Sequence, residues 1–195
     1  MSQILLEAVG LRYGHRWLFR GLSLAMQGGE TWLVTGPNGS GKSSFLALLG
    51  GYLAPTAGQV RCGWGFTARA WVSPHVQPPP SLPVSAIVRD WAQARRLSIP
   101  PSFYQQWQLP PEVPFGRLSS GMRQRLLLAL ALTLPAGLYL LDEPLTFLDA
   151  SFRTLFWDLL RPKLASGNFL LIYATNEPAE VPIAAKVLHL PTYAA

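Results

Sequence analysis

The residues with the clearest chemistry are Gly-Pro-Asn-Gly-Ser-Gly-Lys-Ser at positions 36–43, which match the pattern G-x-x-x-x-G-K-[ST]. Glycines let such a loop turn tightly, so that backbone N–H groups point at phosphate oxygens. Lys42 can reach the outer phosphates of a nucleotide, and the Ser43 hydroxyl can ligate Mg²⁺. The sequence therefore predicts a phosphate-binding loop. Its expected contact residues are Gly36, Pro37, Asn38, Gly39, Ser40, Gly41, Lys42, Ser43 and Ser44.

Two acidic residues follow a continuous apolar run at 138–141, which is typical of a central parallel strand. Ligands of open α/β sheets bind at the carboxyl ends of the strands, where this pair would lie. Asp142 could hold the shell of a magnesium ion, and Glu143 could polarise a water for attack on a γ-phosphate. The alternative is a surface acid pair that caps the next turn. The phosphate loop in the same chain favours the catalytic interpretation.

A third element opens the long apolar helix predicted at 119–134. Ser119 and the N–H groups at the start of this helix could form a second anion site. Taken alone, the pattern favours an ordinary helix N-cap over an anion site.

The flanking sequence predicts the elements that position these residues. An apolar strand at 31–35 precedes the phosphate loop, and an apolar helix at 44–49 follows it. Alternation of strands and helices indicates an α/β fold, and two early strand pairs indicate an antiparallel flank. Strands are predicted at 3–9 with 18–27, 59–64 with 68–73, 138–141, 169–175 and 187–190, and helices at 84–97, 102–109, 119–134 and 152–165.

Composition narrows the choice of function. The 195 residues suit one domain, 49% are hydrophobic and 13% are charged. The uncharged apolar stretch at 126–141 is interrupted by Pro135 and is shorter than the roughly 20 residues of a membrane span. With one cysteine and no visible signal peptide, we expect a cytoplasmic protein. The net charge of +6 suits a phosphate ligand or an anionic membrane surface, and no nucleic-acid partner is expected because basic blocks with interleaved aromatics are missing.

Together the three elements closely resemble the ATP-binding cassette family, the nucleotide-binding subunits of ABC transporters. The resemblance spans nearly the whole chain. Tyr13 stands where the family has the aromatic residue that stacks on adenine. Residues 118–125 are similar to the family signature LSGGQ, with Ser120 in place of a Gly and Met122 in place of the Gln, and residues 145–149 resemble the family's D-loop.

The resemblance implies a P-loop ATPase fold with a core at 1–74 and 119–195 and a reduced helical subdomain at 75–118. Its cofactors would be ATP and Mg²⁺. Two cassettes, identical or different, would face head to tail, with each ATP between Lys42 of one subunit and Ser119 and Gly121 of the other. Hydrolysis would drive a separate membrane permease from the cytoplasmic face of the membrane.

Two positions depart from the family pattern. His75 stands where the family has a Gln that senses magnesium, yet Mg²⁺ prefers oxygen ligands. The alternative for His75 is a residue of a solvent-facing loop. Asn176 replaces the family's switch His; its amide can donate a hydrogen bond to the γ-phosphate without the reach or charge of imidazole. Since Lys42, Asp142 and Glu143 are retained, slow but real hydrolysis is expected, and a binding-only cassette is the alternative.

Several functional alternatives remain at the level of sequence. A cassette protein that serves ribosomes or DNA repair would usually carry two cassettes or long basic insertions, and a small-molecule kinase would lack the signature helix and D-loop. The run at 18–24 is similar to the ATPase of the haem exporter in cytochrome c maturation. Trp91, Trp107 and Phe115 could line a groove for a permease helix or pack a small satellite core, and helical spacing favours packing.

Overall fold

The structure is a computed structural model that describes residues 2–167, 169–177 and 185–190. Its chain divides into two compact units. The first contains Met1–Trp71, Ala136–Glu143 and Ser166–Ala195, and the second contains Val72–Pro135 and Pro144–Ala165. Within the described ranges, no helix combines the length and apolar character that crossing a membrane requires.

An antiparallel sheet of three strands forms one part of the first unit. Its order is β2 (Arg16–Gln27), β1 (Gln3–Tyr13) and β4 (Ala57–Cys62). Ile4 and Leu6 alternate into the core, but the next buried residue is Val9 rather than residue 8. Ala8 has a φ of 49°, and the register with β2 shifts between Leu6 and Val9. This bulge restores inward-facing side chains over a strand longer than simple alternation would allow.

A second sheet of five strands forms the other part of the first unit. β6 and β7 are buried at every residue, as expected of central strands, and β7 pairs in parallel with both β6 and β3. The α/β prediction with an antiparallel flank is confirmed. The strand order is β5 (Arg69–Val72), β6 (Leu138–Asp142), β7 (Leu170–Ala174), β3 (Thr31–Thr35) and β8 (Lys186–His189).

The predicted pairing of strands 59–64 and 68–73 is wrong. β4 and β5 exist, but they belong to different sheets. A short 3₁₀ turn at Phe66–Ala68 lies between them. Arg69 fixes this connection, because its guanidinium donates to the carbonyl oxygen of Trp64 at 2.7 and 3.1 Å and to that of Gly50 at 2.6 Å. The chain therefore continues into the five-stranded sheet instead of forming a hairpin with β4.

The helix α1 (Lys42–Gly50) follows β3 and contacts β6 and β7. Its apolar residues belong to one hydrophobic cluster with side chains from both sheets. Phe45 and Leu46 are buried there with Ile4 of β1 and Leu140 of β6. Buried residues of β3 before the phosphate loop and of α1 after it therefore anchor both ends of the loop.

Strand β8 is attached to β3 by an ionic contact near its first residue. Glu30 accepts hydrogen bonds from the N–H of Gln27 at 3.0 Å and from the indole of Trp32 at 2.7 Å, and it pairs with Lys186. Burial acts to raise the pKa of Glu30, but the bonds from Lys186, Gln27 and Trp32 outweigh it and hold the pKa below its usual value. This contact fixes the register of the strand that ends at His189.

The second unit is helical. In it α4 contacts α2 and α5, and α3 is shorter than the predicted helix at 102–109 because the backbone turns left-handed at Gln108. Trp107 and Phe115 are buried and Trp91 is half-buried, so these aromatics favour packing over an open groove. The helices are α2 (Val84–Arg95), α3 (Phe103–Gln106), α4 (Ser120–Thr133) and α5 (Ala150–Ala165).

The start of β6 supplies a test of packing in the first unit. A Cβ on Gly137 would lie 2.3 Å from two atoms of the buried Trp64 indole. We expect Gly137→Ala to lower the free energy of unfolding by about 1–3 kcal/mol, as overpacked cores do, measured by urea denaturation. Gly65→Ala is the matched control, since a Cβ there meets nothing within 4 Å and its φ is −61°. Equal stability of the two variants would contradict the prediction.

Candidate functional site

The phosphate loop connects β3 to α1 through three glycines with positive φ. The values are 147° at Gly36, 78° at Gly39 and 99° at Gly41, a region that L side chains rarely adopt. A Cβ on Gly36 would also lie 2.5 Å from the carbonyl oxygen of Leu190 and 2.6 Å from Oγ of Ser40. The first glycine of the motif is therefore required by both conformation and space.

The N-terminus of α1 is suited to an anion. Gly41 provides no side-chain cap, and the first turn contains no acidic residue. The first N–H groups of a helix have no partner within the helix, and they carry a partial positive charge. Ser40 is buried in the loop, and its Oγ has no hydrogen-bond partner among the described residues. The loop thus fits the phosphates of a nucleotide, with Ser43 and Ser44 in the first turn of the helix.

Lys42 is buried within the loop, with 7% of its surface exposed. Its ammonium donates to the carbonyl oxygens of Gly36 at 2.9 Å and Pro37 at 3.3 Å and to Oδ1 of Asn176 at 2.6 Å. The amide nitrogen of Asn176 in turn donates to Oδ1 of Asn38 at 2.7 Å. An ammonium has three donors, so a phosphate that binds Lys42 must replace at least one of these acceptors. The bond to Pro37 is the longest.

The acid pair lies at the carboxyl end of β6. Asp142 stands opposite Ala174 of β7 and is 1% exposed. Glu143 is half-buried, has a φ of 47°, and donates its N–H to the carbonyl oxygen of Ala174 at 2.9 Å. A left-handed non-glycine residue costs roughly 1–3 kcal/mol and is common at functional sites.

The strand order brings the candidate residues of the first unit together. β6, β7 and β3 are neighbours, so their carboxyl ends present the acid pair, Asn176 and the phosphate loop along one sheet edge. This is the edge at which open α/β sheets bind ligands.

A cavity of about 510 Å³ opens beside the phosphate loop. Sequence reasoning missed three of its residues, Thr35, Thr175 and His189. The Nδ1 of His189 lies 3.1 Å from Oγ1 of Thr35. The available signal was the one that identified the acid pair, since His189 also ends a parallel strand. The cavity is lined by Thr35, Gly36, Pro37, Asn38, Thr175, Asn176 and His189.

The signature-like segment lies in the second unit. Ser119 is the N-cap of α4, and its hydroxyl oxygen accepts a hydrogen bond from the N–H of Met122 at 3.2 Å. A Cβ on Gly121 would lie 2.8 Å from the carbonyl oxygen of Phe147, so this position requires glycine. The capping role predicted as the alternative for Ser119 is present, and its role as an anion ligand stays a prediction.

Tyr13 and His75 occupy separate units. Tyr13 ends β1 in the first unit with 55% of its surface exposed, which leaves its ring accessible to a base. His75 lies exposed in a loop of the second unit, where its N–H donates to Oγ of Ser73 at 3.3 Å. The described residues contain no cluster of three or more His, Cys, Asp or Glu side chains that could hold a metal. Magnesium is commonly held by one or two carboxylates together with substrate phosphates, and Asp142 with Ser43 fits that pattern.

Comparison with known sequences gives a consistent result. The family described as "ABC transporter" matches residues 19–146. The chain is 31% identical to the cytochrome c biogenesis ATP-binding export protein CcmA of Hyphomonas neptunium, over 94% of this chain and 95% of that protein. It is 34% identical to the Nod factor export ATP-binding protein I of Burkholderia orbicola, over 83% of this chain. The chain spans 59% of the length of that second relative.

Comparison with solved structures identifies the fold. The dimeric structure of a bacterial ABC transporter cassette superposes with a TM-score of 0.80 at 20% identity, over 96% of this chain and 94% of that chain. Such a likeness at low identity establishes the architecture and leaves the chemistry to the residues of the site.

The capping geometry of Ser119 can be tested by stability alone. We expect Ser119→Ala to lower the free energy of unfolding by about 1 kcal/mol, because the N–H of Met122 loses its acceptor. Ser120→Ala, at the exposed first residue of α4, should change stability by less than about 0.5 kcal/mol. Chemical denaturation of both variants measures the difference, and equal effects would remove the capping role.

Proposed function

We propose, since this chain belongs to the ABC transporter family, that it is an ATP-binding and ATP-hydrolysing subunit of an ABC transporter. The observation that carries the proposal is the sheet edge at which the carboxyl ends of β6 and β3, on either side of β7, present Asp142 and Glu143 and the loop that contains Lys42. A binding-only cassette is the alternative, and the departures at His75 and Asn176 are its support.

Nucleotide binding would use the loop, its lysine and one aromatic ring. The uncapped N-terminus of α1 receives the phosphates, and Lys42 exchanges one of its present acceptors for a phosphate oxygen. The phosphate gives the buried Lys42 a charged partner, and a charge-assisted hydrogen bond of this kind favours binding. Tyr13 would stack on adenine from the exposed end of β1.

Hydrolysis would use the acid pair. Magnesium, when bound with ATP, neutralises the charge that develops on the phosphates. Ser43 and Asp142 would hold it, and His75 is proposed as a further contributor. Glu143 would accept a proton from the attacking water as the bond from the γ-phosphate to ADP breaks. Asn176 would turn its amide from Asn38 toward the γ-phosphate, although its oxygen now restrains Lys42.

The second unit would complete the site of another subunit. Ser119 and the backbone at Gly121 would contact the ATP bound at Lys42 of the partner, because α4 begins there with its positive end. ATP would then favour the closed pair by its extra affinity for that state. The membrane permease would be a separate chain, placing the subunit at the cytoplasmic, inner face of the membrane.

The proposed transporter is of the haem-exporter type. The support is the match to the cytochrome c biogenesis protein, which covers nearly the full length of both chains. Deletion of the chromosomal copy should abolish haem attachment to c-type cytochromes, detected by haem staining of separated membrane proteins. If the deletion leaves cytochrome c normal and removes another export activity, the cargo is different and the ATPase proposal stands.

Two substitutions separate nucleotide binding from hydrolysis. Lys42→Ala should weaken ATP binding by about 10- to 100-fold, because a charged hydrogen-bond donor is lost. Glu143→Gln should retain binding and lose at least about 100-fold in turnover, because the general base is removed. Isothermal titration and phosphate release measure the two effects. Lys163→Ala, a lysine of α5 outside the proposed site, is the control for the lost charge. Wild-type turnover no higher than that of Glu143→Gln would favour the binding-only cassette.

The replacement of the switch His by Asn176 predicts a slow wild-type enzyme, and Asn176 also restrains Lys42. Replacing Asn176 by His should raise kcat by about tenfold or more, because imidazole can reach and stabilise charge on the γ-phosphate. Asn176→Ala serves as the control, since it also removes the bonds to Lys42 and Asn38 without adding an imidazole. If Asn176→Ala raises kcat as much as Asn176→His does, the effect comes from the release of Lys42 alone.

A further inference from the structure

Gln124 is a buried polar residue of the helix α4. Its surface is 7% exposed, and the other buried residues of this helix are leucines and alanines. Its side-chain Nε2 donates to the carbonyl oxygen of Pro144 at 2.7 Å. Burial of an amide is unfavourable unless the amide is hydrogen-bonded. This bond therefore accounts for an amide at a position that an apolar side chain would otherwise fill.

The acceptor of this bond is the residue next to Glu143, the proposed general base. Pro144 is buried, and one peptide bond joins it to Glu143. The proline ring fixes its own φ and restricts the backbone of the residue before it. A hydrogen bond to the carbonyl of Pro144 therefore restrains the backbone that carries the Glu143 carboxylate.

Glu143 needs such restraint because its backbone is strained. Its φ of 47° lies in the left-handed region, and a residue other than glycine stays there only where the surrounding structure holds it. Before the carboxylate, the N–H of Glu143 donates to the carbonyl oxygen of Ala174 at 2.9 Å. After it, the bond from Gln124 holds Pro144. The two bonds thus anchor the chain on both sides of the strained residue.

We infer that Gln124 is a positioning residue for Glu143. Its amide holds the carbonyl of Pro144 and so keeps the Glu143 carboxylate where it can accept a proton from the attacking water. The inference rests on the proposed function and deepens it, because the buried Gln124 would act through Glu143. A general base must stay within hydrogen-bond reach of the proton that it accepts, and a displacement of about 1 Å can lower a rate by about 100-fold.

The alternative is that Gln124 only stabilises the fold. Its removal leaves the buried carbonyl of Pro144 without this donor, which lowers stability whether or not Glu143 acts as a base. A measurement of stability therefore does not separate the two roles. A kinetic cycle with Glu143 does, because a positioning residue has no further effect once the base that it positions is removed.

The experiment measures ATP turnover and ATP binding for Gln124→Met in two backgrounds. Methionine is similar in length to glutamine and cannot donate a hydrogen bond. With Glu143 present, kcat should fall about tenfold or more, while the dissociation constant for ATP changes by less than about twofold. In the Glu143→Gln background, the residual turnover, followed with radiolabelled ATP, should change by less than about twofold.

Thr133→Val is the matched control for the loss of a hydrogen bond from α4. Oγ1 of Thr133 donates to the carbonyl oxygen of Ala129 at 2.8 Å, so this variant also removes a bond from a side chain to a carbonyl, and kcat should be retained. If circular dichroism shows that Gln124→Met does not fold, Gln124→Asn replaces it. Its amide is one methylene shorter and does not reach Pro144, so the same fall in kcat is expected.

The outcomes distinguish this inference from the proposed function. An equal loss of turnover in both backgrounds overturns the positioning role, because Gln124 would then act independently of Glu143. An unchanged kcat with Glu143 present overturns it as well. Both results leave the ATPase proposal standing. Wild-type turnover no higher than that of Glu143→Gln overturns both proposals, because Glu143 would then not act as a base.

Discussion

The buried ammonium of Lys42 is the interaction on which the arrangement of the site depends. A charged group that is removed from water is tolerated only if its donors find acceptors. Two acceptors are carbonyl oxygens of the phosphate loop, and the third is Asn176, 134 residues later in the sequence. The loop must therefore be folded back on its own lysine, which the left-handed glycines permit. The end of β7 must also lie beside it, which the order of the strands ensures.

Backbone hydrogen bonds connect the acid pair to the phosphate loop. β7 lies between β6 and β3, so Ala174 accepts the N–H of Glu143 while Thr175 donates its N–H to Val34 of β3. Backbone bonds thus run from the acid pair through β7 to the strand that leads into the loop. Complete burial of β6 and β7 keeps this edge rigid, because closely packed strands shift little. A rigid edge suits chemistry that depends on the alignment of a water, a phosphate and a carboxylate.

The two units carry different halves of the proposed chemistry. The first contains a loop that fits phosphates and an acid pair, and the second contains a capped helix start with a glycine pressed against the turn of Phe147. Division of the groups between two surfaces accords with a site shared by two subunits, as we propose.

Local patterns in the sequence determined the phosphate loop, the cap at Ser119, the strand that ends in Asp142 and the α/β class, because each depends on neighbouring residues or on short periodicity. The tertiary structure alone decided the features that join distant segments. Turn geometry and the bonds of Arg69 placed β4 and β5 in different sheets, against the predicted pairing. Strand order brought Asn176 to Lys42 and placed His189 beside Thr35. Such contacts follow from burial across the whole chain, and no short pattern of residues encodes them.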